Sequence, residues 1–440
     1  MASGSRGVCP YARVPHYLGI DLGTSGARAV VIDSRSREVC AARAPFPPPS
    51  AQGPGREQDP EVWWQTVRAL LSEVATGVPA RDIAALAVDG TSATLLVTDA
   101  GGTPLGPALM YNDARCVEEA ERIARVAPAE SGAHGPTSAL AKLIRLAGRH
   151  PSARHALNQA DWVTGRLLGR YGLCDENNAL KLGYDARLRR WPDWLGTLGV
   201  RPDLLPHPVP PGTPLGTLDP TVARAAGLDA GTRVVAGTTD SVAAFIATGA
   251  SRAGEAVTSL GSTLVVKVLS DRSVFSPRHG VYSHRLGERW LCGGASSSGG
   301  AVLLQHFTPA ALARLSREVR PDRPTGLHYY PLPGPGERFP RNDPNLAPRL
   351  TPRPDDDALF LQGLLEGLAA IEWAGYRLLA RLGAPYPSHV RTAGGGAGNL
   401  AWTAIRSRLL GIPVVRARHA EAAYGAALLA RQGASGTPAV

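Results

Sequence analysis

Two aspartates carry the chemistry this sequence makes available. Asp21 lies in HYLGIDLGTSGARAVVID (residues 16–33), at the end of an apolar run and against a turn of Gly, Thr and Ser. Such turns leave backbone N–H groups and hydroxyls converging on one point, which holds phosphate oxygens without a bulky side chain in the way; Gly23 and Gly26 supply the room. A carboxylate beside a phosphate repels it unless a cation lies between them. Asp21 therefore reads as a direct or water-mediated Mg²⁺ partner, or as a carboxylate that only bonds the N–H groups of its own turn. Asp240 follows RVVAGTT and opens the apolar stretch SVAAFIATGA. A helix N-terminus keeps a carboxylate ionised, so Asp240 either accepts a proton or caps the helix. Phosphoryl transfer asks for little beyond these parts: a hydroxyl aligned with the γ-phosphate, charge neutralised by metal, and a late proton acceptor.

The first turn has an echo. SLGSTLVVKVLS (259–270) repeats the approach, the Gly-hydroxyl turn and the valine-rich strand, more than 200 residues on. Either two common hairpins coincide, or two related domains face each other across a cleft, where ligands usually bind. A third glycine turn, in RTAGGGAGNLAWTAIRSRLLGIPVV (391–415), ends a short strand and leads into a helix beginning near Asn399. Rival motifs are missing: there is no GxxxxGK[ST], no GxGxxG after a strand, no GxSxG elbow and no HExxH.

The elements that must position these residues alternate between strand and helix. Strands are expected at 17–20, 27–32, 39–44 and 83–88, with a helix over 60–74 behind Asp59 as its cap. Further helices are expected at 140–146 and 157–168, a Pro-rich surface connection at 204–216, a strand at 233–236 and a small-residue helix at 421–430 suited to tight packing. With 440 residues the chain is long enough for two or three domains. Residues 1–16 read as a frayed tail, or as an organelle transit sequence; 17–232 read as the first domain and 233–440 as the second. Charged residues make up 19% and hydrophobic ones 44%, and no apolar run is long enough to cross a bilayer, which describes a soluble globular protein. The five cysteines are scattered, as suits a reducing compartment. The net charge of +10 comes mostly from dispersed Arg without interleaved aromatics, so it marks a solvated face that draws in anionic substrates rather than nucleic acid.

Taken in order, GIDLGTSGARAV, YNDAR, AGTTDSVAAF, SLGSTLVVK and TAGGGAGN resemble the FGGY carbohydrate kinases, over nearly the whole chain from Tyr17 to Ala430. The resemblance implies an α/β fold of two actin-like (ribonuclease H-like) ATPase domains closing on ATP, Mg²⁺ and a sugar. By position, Asp240 matches the family's catalytic base, and Asp21 and Thr24 match residues near the metal, the phosphate and the sugar. Ser92 matches a sugar contact. Gly23, Thr24 and Ser25 form the phosphate turn of the first domain, and Gly261, Ser262 and Thr263 that of the second. Gly395, Gly396 and Asn399, with Trp402 close behind, match the nucleotide pocket, flanked by Gly293 and Gly294. Asp113 and Arg115 resemble the family's Trp-Asn-Asp-x-Arg stretch, which often meets the sugar, although Tyr111 replaces its Trp.

Several stretches, among them NNALKLGYD, GVYSH and YYPLPGPGERFP, look most like the D-ribulose kinases of cyanobacteria and plants. This implies ribulose 5-phosphate as product. Xylulose kinases carry a Met-His pair after the strand ending near Val88, where this chain has Thr91 and Ser92. Kinases for xylulose, ribitol or sedoheptulose are the alternatives, and a sugar or nucleotide sensor without catalysis is the reading from another class. Partners are expected to be the sugar and ATP alone, with no membrane and no nucleic acid, in a cytoplasmic monomer or homodimer.

Overall fold

The computed structural model describes residues 14–436. The tail read over 1–16 therefore lies outside the described residues except at its end, where His16 already starts the first strand. Strands His16–Leu22, Gly26–Ile32 and Glu38–Pro45 form the expected antiparallel meander, and Ile83–Gly90 joins it in parallel beside the first strand. Leu18, Ile20 and Leu22 point to one side and are fully buried. Helix Pro60–Gly77 covers that side. Asp59 caps it by accepting the Glu61 N–H, and Trp63, Val67, Leu70 and Leu71 pack inward.

The first sheet runs Pro214–Thr217, Arg233–Val235, Ile83–Gly90, His16–Leu22, Gly26–Ile32, Glu38–Pro45. The second runs Tyr282–Leu286, Arg289–Ala295, Leu264–Ser270, Glu255–Leu260, His389–Ala393, Val414–Arg416. Both place an antiparallel meander beside two parallel strands that arrive later in the chain. The sequence echo is thus an architectural repeat: LGTS and LGST turn the same hairpin in each sheet.

The halves are not separable at residue 232. Strand Arg233–Val235, expected to open the second domain, pairs in the first sheet, because its partner Ile83–Gly90 has a free edge there. Close backbone approach supports this: a Cβ on Gly237 would fall 1.8 Å from the Val88 carbonyl oxygen. Residues 174–186 in turn lend Cys174, Leu180 and Tyr184 to the core of the second half. The last helix, Ala422–Ser435, crosses back to the first sheet. Its small residues do what their size suggests, since a Cβ on Gly19 would meet the Ala423 carbonyl oxygen at 1.9 Å and one on Gly425 would meet that of Ala243 at 1.9 Å.

A smaller sheet of five short strands, from Ser50–Gln52 to His155–Asn158, carries the loops that hold Ser92 and Asp113. The Pro-rich stretch 204–216 is not all connection: it contains strand His207–Val209 and enters strand Pro214–Thr217. Among the described residues no helix is long and apolar enough to cross a membrane, and Cys40, Cys116, Cys174 and Cys292 are unpaired.

Candidate active site

Three neighbouring strands of the first sheet run parallel and end at one edge, and each end carries an acid. Asp21 and Asp89 stand opposite each other in register, and Thr239, just before Asp240, bridges to Gly90. Strand periodicity explains the apolar runs, and the polar residue comes where the strand leaves the core. Carboxyl ends of parallel strands are where ligands bind in sheets of this kind.

The acids feel one another. Burial pushes Asp240 up to about 6; Asp21 adds repulsion, while the Ser241 N–H (2.6 Å) and the Lys267 charge pull the other way. The carboxylate is ionised at neutral pH as the sequence implies, but its pKa is raised rather than held low by the helix N-terminus. Asp240 is the first residue of its helix, but the desolvation it suffers outweighs the dipole. Asp21 is also raised, by burial first, with its closeness to Asp89 and the Arg28 charge opposing. Asp89 is fully buried and held well above the ordinary carboxylate range by burial and then by Asp21, and neither of its oxygens has a hydrogen-bond partner among the described residues. Asp89 was passed over in the sequence, although it ends an apolar strand in the same way as Asp21.

Behind this edge lies a second acid pair. Asp175 caps helix Glu176–Leu180 and burial raises it to about 6, while Asp161 is raised further by burial and by Asp175. Around them Gln159 Nε2, Asn158 Oδ1, Asn178 Oδ1 and Thr239 Oγ1 are buried without a protein partner. Ser92 Oγ is in the same condition. Its neighbour Thr91 is committed inward, its hydroxyl to Gln159 Oε1 at 2.8 Å and to Thr94 at 2.6 Å. Ser92 is thus the hydroxyl of this turn left for a ligand.

In the first Gly-hydroxyl turn the Gly23 N–H donates to the Gly26 carbonyl (3.0 Å), leaving Thr24 partly exposed and Ser25 exposed. Gly261 and Ser262 of the second turn line a cavity of about 790 Å³, together with Gly395, Gly396, Asn399 and Trp402. The pocket is mostly aliphatic, its mouth formed by Leu304 and Leu400. Asn399 caps helix Leu400–Leu410 through the Trp402 N–H (3.0 Å) and donates to Ser316 Oγ (2.9 Å), closing the pocket against helix Pro309–Leu315. Lys267, on the strand that leaves this turn, donates to the Ser241 carbonyl at 2.6 Å, which ties that strand to the helix that Asp240 begins.

Four expected site residues sit elsewhere. Gly293 and Gly294 lie inside strand Arg289–Ala295, where a Cβ would strike the Val266 carbonyl oxygen (2.6 Å) or the Phe339 ring (2.4 Å); they are glycine for packing and do not line the cavity. Thr263 lies behind its turn, its carbonyl accepting the Gly261 N–H at 3.2 Å. Asp113 is fully buried, and its oxygens accept from the Arg56 N–H (2.8 Å) and from Arg115 Nε and Nη2 (3.0 and 2.6 Å). It orients Arg115, which also pairs with Glu57 at 2.9 Å, and is not itself open to a ligand.

A cation at Asp21 would draw few ligands from the protein, since among the described residues no three His, Cys, Asp or Glu side chains group to hold one. That donor set suits Mg²⁺, which keeps waters and takes phosphate oxygens beside one or two carboxylates.

Residues 16–247 and 256–433 match the N-terminal and C-terminal domains of the FGGY family of carbohydrate kinases. This chain belongs to that family. It is 32% identical to a xylulose kinase of Streptomyces rubiginosus over 94% of this chain and 87% of the relative. Against the xylulose kinase of Escherichia coli it is 27% identical, over 88% of this chain and 83% of the relative. Among solved structures, a xyloylose kinase from Brucella ovis superposes with a TM-score of 0.87 at 25% identity, covering 96% of this chain and 91% of that one. The family and the two-domain fold expected from the sequence therefore stand, while the named relatives are xylulose kinases rather than the ribulose kinases that the motifs suggested.

Proposed function

We propose that this FGGY kinase transfers the γ-phosphoryl group of ATP to the terminal hydroxyl of a ketopentose. The observation that carries this reading is the meeting of Asp21, Asp89 and Asp240 at one sheet edge, with Lys267 tying the helix that Asp240 begins to the strand that leaves the glycine turn of a cavity of about 790 Å³. Asp240 takes the hydroxyl proton: with its pKa near 6 it is ionised at neutral pH, yet basic enough to receive a proton late in the transfer. Ser92 and the unpartnered amides behind it supply hydrogen bonds to the sugar hydroxyls, and burial makes each such bond discriminating. Gly261, Ser262, Gly395 and Gly396 let backbone approach the phosphates, and Trp402 backs the nucleoside pocket. Asp21 would hold Mg²⁺, which neutralises charge on the phosphates when bound.

The relatives' names favour D-xylulose as the sugar. D-ribulose is the second reading, because Thr91 and Ser92 stand where xylulose kinases carry Met-His. The two sugars differ only in configuration at C3, so the hydroxyl that Ser92 meets decides between them. ADP release with D-xylulose, D-ribulose, ribitol and sedoheptulose tests both readings: one ketopentose is expected to exceed the other by at least about tenfold in kcat/KM, the value of one well-placed buried hydrogen bond. Equal turnover of all four would refute a ketopentose-shaped site. A sensor without catalysis would show saturable sugar binding and no ADP.

A further inference from the structure

Lys142 is a fully buried cation for which the reaction gives no account. It lies on helix Ala139–Arg149, which Ser138 caps through the Ala141 N–H. Its Nζ donates to the carbonyls of Ala93 (2.7 Å), Met110 (2.7 Å) and Tyr111 (3.3 Å), which accounts for its three protons. Among the described residues no carboxylate pairs with it. Asp113 acts on it only at longer range, its own oxygens being taken by Arg56 and Arg115.

Burying an ammonium without a counter-ion is expensive, and an apolar side chain would fill the same volume more cheaply. What the ammonium provides is geometry. Its acceptors belong to two separate segments. Ala93 follows Ser92 and is held at φ +70°, a strained conformation for a residue with a Cβ. Met110 and Tyr111 precede Asp113 and Arg115. The Thr94 hydroxyl accepts the Tyr111 N–H at 2.9 Å, and the adjoining Leu95 and Leu109 face each other in paired strands, so Lys142 adds to these ties.

We propose that Lys142 is a positioning residue that clamps the 91–94 turn to the 110–115 loop and thereby holds Ser92 at the geometry the sugar requires. The inference rests on the kinase reading above for what Ser92 meets. Burial lowers the Lys142 pKa to about 7, so the three carbonyl acceptors work against a desolvation cost that disfavours the charged form.

The test compares wild type with Lys142→Met and with Lys142→Gln, which retains two N–H donors. Steady-state KM for the preferred ketopentose and for ATP is measured together with hydrogen exchange of the free proteins. Lys142→Met is expected to raise the sugar KM about tenfold or more, as loss of charged hydrogen bonds at a buried site does, and to leave the ATP KM within about twofold. Lys142→Gln is expected to recover part of the sugar KM. If Lys142→Met does not fold, Lys142→Gln carries the test, with faster exchange expected only at residues 91–94 and 110–115. Equal increases in both KM values, an unchanged sugar KM, or exchange that quickens throughout the first half would each overturn the clamp. Exchange needs no turnover, so a chain that phosphorylates no sugar would refute the kinase reading while the clamp is still judged.

Discussion

Asp240 shows burial and helix dipole acting in opposite directions on one carboxyl, with burial ahead. This has a consequence for pH. In the transfer proposed above the working form of Asp240 is the carboxylate, and its pKa is raised, so activity is expected to be complete well above about 6 and lost as pH falls through that value. A kcat/KM profile should therefore have an acid limb of unit slope near pH 6; a limb near 4 would mean that burial does not desolvate the group. Which acids mattered could be read in the sequence where each stood at the end of an apolar run, as Asp21 and Asp240 do. The same signal was present at Asp89. What the sequence does not display is register and burial, and so Asp113, Gly293 and Gly294 could not be told from ligand-facing residues. Asp113 faces its own arginine, and the two glycines face Val266 and Phe339.

At the scale of elements, the helix that Asp240 begins is held by the chain's last helix, with Gly425 of that helix lying on Ala243. The sequence made the small-residue helix legible, but not its partner, because a helix that packs on a sheet more than 400 residues upstream leaves no local trace. Gly425→Ala places a methyl 1.9 Å from the Ala243 carbonyl oxygen, where backbone rather than a flexible side chain must yield. The expected result is a stability loss of about 1–3 kcal/mol by denaturant titration, with kcat reduced because Asp240 moves with its helix. A variant as stable and active as wild type would show that this contact does not hold the base. In the second half, Arg406 and Glu372 play the comparable part: both are fully buried, with two bonds of 2.6 and 2.7 Å, and a third from Arg406 to Thr392 ties helix Leu400–Leu410, which lines the cavity, to strand His389–Ala393.

Over the whole molecule, one device is used twice: a meander, a Gly-hydroxyl turn and parallel strands, set so that one copy ends in acids and the other in glycines. The duplication was legible because the turn needs Gly and hydroxyl residues wherever it occurs. The boundary was not, because strand Arg233–Val235 and helix Ala422–Ser435 cross between the halves and no composition change marks where they pack. Two halves with opposite chemistry make a kinase only if the acid half meets the phosphate-holding half at the reacting atoms. The most direct measurement is ketopentose-dependent ADP release by wild type and by Asp240→Asn, alongside ATP-analogue affinity of both. The account predicts saturable release by wild type, a fall of roughly 10²- to 10⁴-fold in Asp240→Asn and nearly unchanged nucleotide affinity. Turnover by Asp240→Asn at the wild-type rate would contradict it.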